Sequence, residues 1–154
     1  MDNIQIKWWV VADAECAHLK DIVEIEDEVF GEHAMSAKDF KDVLAGFATY
    51  GLIAIRNGNV VGYCLYQQGA NFTWVLNVVV PTDCRREGIG ELLINRVKQK
   101  MQTLKSDGLE CLVHERWLPA QLFFRSQGFV SSGTLENSHG EDAGIRMVFM
   151  KEWN

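Results

Sequence analysis

The stretch from Asn71 to Met101 limits most strongly what this chain can become. NFTWVLNVVV is a β-rich run closed by Pro81, and its unbroken apolar end predicts a central strand buried on both faces. A turn containing Arg85 and Arg86 follows, and a helix opens near Gly88 with Leu93, Val97, Met101 and Leu104 along one stripe. A strand that feeds directly into an amphipathic helix needs neighbouring strands to pair with and a sheet face for the helix to cover.

The rest of the chain supplies them. IQIKWWV (4 to 10) reads as a strand, Ala17 to Phe30 as an amphipathic helix ended by Gly31, and Ser36 with Asp39 as a capping box opening a second short helix. The GEHAM segment between these helices is a candidate substrate wall. Two strands, 50 to 56 and 59 to 69, flank Asn57-Gly58, a pair that accepts the positive φ angles of a type I′ hairpin. LECLVHE (109 to 115) is the next strand. Pro119 opens a helix that Gly128 stops, and two antiparallel strands close the chain around a polar loop, 136 to 142. The order β-α-α-β-β-β-α-β-α-β-β predicts an α/β sandwich with a mixed sheet, and 154 residues fit one domain spanning 1–154.

The glycine turn is the candidate chemical feature. Unpaired N–H groups and the positive end of a helix dipole meet there, which makes an anion site. Gly88 and Gly90 let phosphate oxygens reach the main chain, and Arg85 and Arg86 supply charge from the rim. A Walker loop is excluded because neither glycine precedes a lysine, and a dinucleotide fingerprint is excluded because Leu93 stands where a third Gly or Ala is needed. A turn that merely shapes the chain into a helix is the plainer alternative.

Fifteen Lys and Arg against twenty-one Asp and Glu leave a net charge of −6, which disfavours nucleic acid. The N-terminus has an acid where a signal peptide needs basic residues, and its apolar run is too short to span a bilayer, so we expect a cytoplasmic protein without membrane attachment. Cys16, Cys64, Cys84 and Cys111 are scattered without zinc-ligand spacing, so no metal is expected. Cys84 reads as a passive loop cysteine, although the arginines after it would favour its thiolate.

Arg85-Arg86-Glu87-Gly88-Ile89-Gly90, following L-N-V-V-V-P and preceding an L-L helix, resembles the acyl-CoA loop of the GNAT acetyltransferase superfamily. The A-x-x-x-F-x-x-x-G-F pattern at Ala120, Phe124, Gly128 and Phe129 is similar to the superfamily's second motif. Ile25-Glu26, Phe30, Ser36 to Phe40, Leu76 to Val80 and Glu141-Asp142-Ala143 look most like the bacterial ribosomal-protein-alanine N-acetyltransferase group.

The resemblance implies a GNAT-like acyl-CoA N-acyltransferase fold: a mixed, mostly antiparallel sheet of about seven strands, with flanking helices and a splayed central strand pair. It implies that main-chain groups of Val78, Val79 and Val80 meet the pantetheine arm of acetyl-CoA, and that Arg85, Arg86, Glu87, Gly88, Ile89, Gly90 and Glu91 surround its pyrophosphate. The implied activity is acetyl transfer to a primary amine, a protein N-terminus or a small amine, by a monomer or homodimer. The alternative is a catalytically weak acyl-CoA-binding regulatory module.

The chain departs from the pattern where acid and base are expected. Phe124 stands for the tyrosine that protonates the departing thiolate, Trp117 for a cofactor-contacting asparagine, and Leu112 and Trp74 for two base positions. Glu110 and His114 share strand parity with Leu112 and are the replacement candidates. For His114 a hydrogen-bonded structural role is the competing reading. Trp117, Phe123 and Phe124 are candidates for an aromatic acceptor wall, with Phe123 assigned to the core and the other two to the site.

Overall fold

The structure is a computed structural model that describes residues 3–9, 17–104, 106–139 and 142–153. Seven strands form one sheet in the order β1-β2-β3-β4-β5-β7-β6, with β1 at Ile4–Trp9, β2 at Thr49–Arg56, β3 at Asn59–Gln68, β4 at Phe72–Val79, β5 at Gly108–His114, β6 at Val130–His139 and β7 at Asp142–Met150. The helices are α1 (Ala17–Phe30), α2 (Ala37–Leu44), α3 (Ile89–Thr103) and α4 (Leu118–Ser126). All neighbouring strands are antiparallel except β4 and β5, so this is the mixed, mostly antiparallel α/β architecture expected.

Local chemistry sets the joints. Asn57 and Gly58 both take positive φ, 53° and 79°, and close the β2–β3 hairpin. At the start of α2 the Ser36 side chain accepts from the Asp39 N–H (3.2 Å), while the Asp39 carboxylate accepts from the Ser36 N–H (2.9 Å), completing the capping box.

Apolar side chains fill both faces of the sheet. Leu93, Val97 and Met101 from α3 pack with Phe124, Phe129 and Phe149 on one side. Ile22 from α1 and Phe40 from α2 pack with Trp9 and Tyr63 on the other. The second layer is short: α1 and α2 lie over β2, β3 and β4, and the same face beyond them carries exposed Leu112 and Leu135.

That gap corrects two expectations. β4 is not buried on both faces, because Trp74 (44% exposed) and Leu76 lie on the uncovered half. The polar segment 136 to 142 is largely not a loop: Glu136 to His139 continue β6, and Asp142 begins β7. Their polarity reflects an edge position, since β6 pairs only with β7.

β4 is bent by one inserted residue. Tyr66 pairs with Val75 but Leu65 pairs with Asn77, leaving Leu76 as a β-bulge. The displaced ladder bond is replaced by a side chain, because the Asn77 Oδ1 accepts from the Leu65 N–H at 3.0 Å. Asn77→Ala leaves that N–H without its acceptor, and equilibrium urea unfolding should report a loss of about 1–3 kcal/mol.

Candidate active site

The parallel pairing of β4 with β5 runs from Phe72↔Gly108 to Val75↔Cys111 and then stops, although β4 continues to Val79 and β5 to His114. The strands part where Leu76 bulges, since a bulge bends and twists the strand that carries it. Beyond the fork, the β4 edge from Leu76 to Val79 has no ladder partner on β5. The side chain of Val79 is buried against α1 and α2, while the half-buried Val78 and Val80 pack toward α3.

The glycine turn stands just past that edge. Gly88 caps α3 in the left-handed region (φ 81°, ψ 11°), and a Cβ built there meets no atom within 4 Å. The first intrahelical bond is from the Leu92 N–H to the Gly88 carbonyl at 3.0 Å, so the amides of Ile89, Gly90 and Glu91 begin the helix with no carbonyl one turn back. Arg86 also takes positive φ, 64°. Glu87 is drawn aside by Arg56 (3.0 Å), which reduces its repulsion toward an incoming anion, whereas the Arg85 Nε donates to the Val80 carbonyl at 3.1 Å. Arg85, Arg86 and Glu91 are exposed and Ile89 is buried. These features fit a diphosphate: the space is open, the donors are main-chain amides, and the α3 dipole has its positive end there.

Gly90 has a different reason to be glycine. A Cβ there would stand 2.9 Å from the Phe123 Cε1, so its absence lets α3 and α4 approach. This corrects the aromatic wall: Phe124 is the core ring, 7% exposed and edge-on to Phe129 at 5.1 Å, while Phe123 is the half-buried one beside Gly90. Trp117 does face outward, 49% exposed, and its ring stacks between Phe30 (5.6 Å) and His114 (5.7 Å). Phe30, at the end of α1 and just before GEHAM, thereby stands beside the β5–α4 connection.

Among the acid–base candidates, His114 is held at both nitrogens. Its Nδ1 accepts from the Arg116 N–H at 3.0 Å, and its Nε2 lies 3.1 Å from the Asp142 Oδ2. A neutral ring satisfies both contacts only with its proton on Nε2. Arg116 also reaches Asp142 (3.2 Å), so the three residues tie β5 to the start of β7. Glu110 shares the open face with Leu112 and His114, as parity predicts, and its carboxylate accepts from the Arg146 Nε (2.7 Å) and Nη2 (3.2 Å). This pair lies in a cavity of about 530 Å³ whose walls include Trp74, Leu76, Leu112 and Leu135. The cavity lies on the face opposite α3.

Cys84 is buried, and burial followed by the neighbouring Asp83 pushes its thiol up, with only Arg56 opposing. Its thiolate is therefore not favoured, and Cys84 ends a 3-10 turn, Thr82–Cys84. Cys64 and Cys111 are free and buried, and Cys16 lies outside the described residues. No group of metal-ligating residues occurs among the described residues, and no helix there is long and apolar enough to cross a membrane.

Arg146 was not legible as a site residue from motif reading, whereas Asp142 was read only as part of the Glu141-Asp142-Ala143 motif and not as the partner of His114. The signal for Arg146 was a single charge inside the apolar strand AGIRMVFM, matched by Glu110 inside LECLVH.

Comparison with known proteins agrees with this geometry. The fold matches the crystal structure of the ribosomal-protein-S18-alanine N-acetyltransferase from Escherichia coli with a TM-score of 0.80 and 18% identity, covering 96% of this chain and 94% of that one. It matches NAA60 from Arabidopsis thaliana, solved with acetyl-CoA, with a TM-score of 0.80 and 16% identity, covering 97% and 99%. It also matches the PaiA N-acetyltransferase from Thermoplasma acidophilum, solved with coenzyme A, with a TM-score of 0.75 and 15% identity, covering 96% and 99%. No curated protein matches in sequence. The family model for an acetyltransferase (GNAT) domain matches residues 13–152, and on that match across nearly the whole length the chain belongs to the GNAT acetyltransferase domain family.

Proposed function

We propose that the chain is an acetyl-CoA-dependent N-acetyltransferase that acetylates a primary amine, either a protein N-terminus or a small amine. The observation that carries this reading is the fork between β4 and β5, with the glycine-capped α3 at its edge and the acceptor-sized cavity on its opposite face. Main-chain groups of Val78, Val79 and Val80 would align the pantetheine arm, and Arg85 to Glu91 would hold the diphosphate. When bound, the thioester supplies an activated acyl carbon and a thiolate leaving group. Transfer forms the C–N bond, breaks the C–S bond with its electron pair going to sulfur, and releases the amine's proton to water.

This chain supplies alignment more than proton transfer. Phe124 has no hydroxyl, Leu112 has no carboxylate, and His114 is bonded at both nitrogens. A positioned acid or base contributes about 10²–10⁴-fold, so its loss slows transfer without abolishing it. An α-amine, with a pKa near about 8, is partly neutral at pH 7, whereas a lysine amine near about 10.4 needs a base. The reading therefore favours α-amines as acceptors. The same substitutions support the second reading, an acyl-CoA-binding regulatory module.

The test combines native mass spectrometry for retained CoA species with thiol release against peptide N-termini, lysine side chains, polyamines and small amines. CoA binding with release driven by α-amines is expected. CoA binding without turnover on any amine selects the binding module, and protection by ATP or NAD but not CoA removes both readings.

A further inference from the structure

Glu110 and Arg146 are charged residues within apolar strands, and they stand next to the point where the sheet opens. Glu110 pairs across β4 with Trp74, one residue before the last β4–β5 pair. Arg146 lies on the same face, with Leu112 as its partner on β5. Such a half-exposed pair adds little stability, about 0–1 kcal/mol, so its presence calls for another account.

The guanidinium has N–H groups to spare. Of its five, three are engaged among the described residues: Nε and one on Nη2 by Glu110, and one on Nη1 by the Ser132 Oγ at 3.1 Å. One N–H on each Nη remains for a molecule in the cavity. A site built for a simple amine would do better with Glu110 alone, because the guanidinium repels a bare ammonium. An acceptor carrying a carboxylate beside its amine turns that repulsion into recognition, because the planar fork of arginine matches a carboxylate. The remaining walls are mainly apolar, with Trp74, Leu76, Leu112 and Leu135 beside the polar Thr134.

We propose that the acceptor is an α-amino acid with an apolar side chain, its carboxylate held by Arg146 and its amine beside Glu110. The inference rests on the acyl-transfer reading of this cleft and names its substrate class.

The test uses phenylalanine, phenylalaninamide and phenethylamine, three probes that share a ring and an amine but differ in the carboxylate. Binding is measured by calorimetry without any acyl donor, and thiol release is measured with acetyl-CoA. The intact protein should bind phenylalanine at least about tenfold more tightly than the other two. Arg146→Gln should bring all three within about twofold, and Arg146→Lys should keep part of the preference because it keeps the charge. Equal binding of acid and amide to the unaltered protein, or a preference that survives Arg146→Gln, overturns the inference. The two failures are distinguishable. Carboxylate-selective binding with no thiol release from any amine removes acyl transfer and the acceptor role with it, leaving only a carboxylate-binding site at Arg146, whereas equal release with acid and amide keeps acyl transfer and removes the inference.

Discussion

Gly88→Val removes protection by coenzyme A while leaving most of the fold's stability in place. At φ 81° a β-branched residue is strained, a cost of about 1–3 kcal/mol, but its Cβ meets no protein atom within 4 Å. The new side chain instead fills the space in front of the first-turn amides of α3. A ligand that depends on those amides should lose at least about a hundredfold in affinity, roughly 2.7 kcal/mol. Gly90→Val separates the two effects, because its Cβ collides with Phe123 and overpacks the α3–α4 contact at about 1–3 kcal/mol even without ligand. Thermal melts of both variants, with and without coenzyme A, check the contrast. A Gly88→Val protein that coenzyme A still protects as well as the parent would show that the diphosphate lies elsewhere.

The second large effect lies between α1 and β3. Glu26 is 2% exposed, and its carboxylate accepts from the Tyr63 hydroxyl on one oxygen and from the Met35 N–H (2.7 Å) on the other. Burial, together with the Glu26 carboxylate, holds the Tyr63 phenol well above its usual range, so it stays a donor at any working pH. Tyr63→Phe leaves a buried carboxylate with one of its two donors. The expected loss is about 2–3 kcal/mol, a fall in Tm of roughly 4–12 °C. The bond to Met35 also fixes the segment between α1 and α2, next to Phe30 and its stack on Trp117. Glu26→Leu combined with Tyr63→Phe should cost less than the two single changes summed, since the pair then leaves together. Differential scanning calorimetry of the four proteins decides it; a Tyr63→Phe melt unchanged within about 1 °C would mean the carboxylate is satisfied another way.

The fold was legible wherever a residue type answers to one local constraint. Asn57-Gly58, Ser36 with Asp39, and Pro119 with Gly128 each declare a backbone geometry, and the element order follows from them. Edge and uncovered positions were harder, because burial is set by what packs above them. Trp74 and Leu76 are apolar yet face a cavity, and Glu136 to His139 continue the edge strand β6. The bulge at Leu76 was invisible for a related reason: Asn77 replaces a main-chain bond with a side-chain one, a substitution that pattern reading has no sign for.

For the site, the glycine turn announced itself through residue type, while the acceptor side did not. Phe123 and Phe124 are the same residue one position apart, and only the approach of Gly90 decides which ring the core takes. Glu110 and Arg146 are 36 residues apart in sequence and meet because β5 and β7 pair.

The central claim is that one ligand meets both the α3 amides and the freed edge of β4. Amide chemical shifts followed while coenzyme A is titrated into isotopically labelled protein test it most directly. The account predicts saturable shifts at Ile89, Gly90 and Glu91 together with Val78 and Val79, and little change on β1. Saturable binding that leaves those amides unmoved and perturbs another face of the sheet would contradict it.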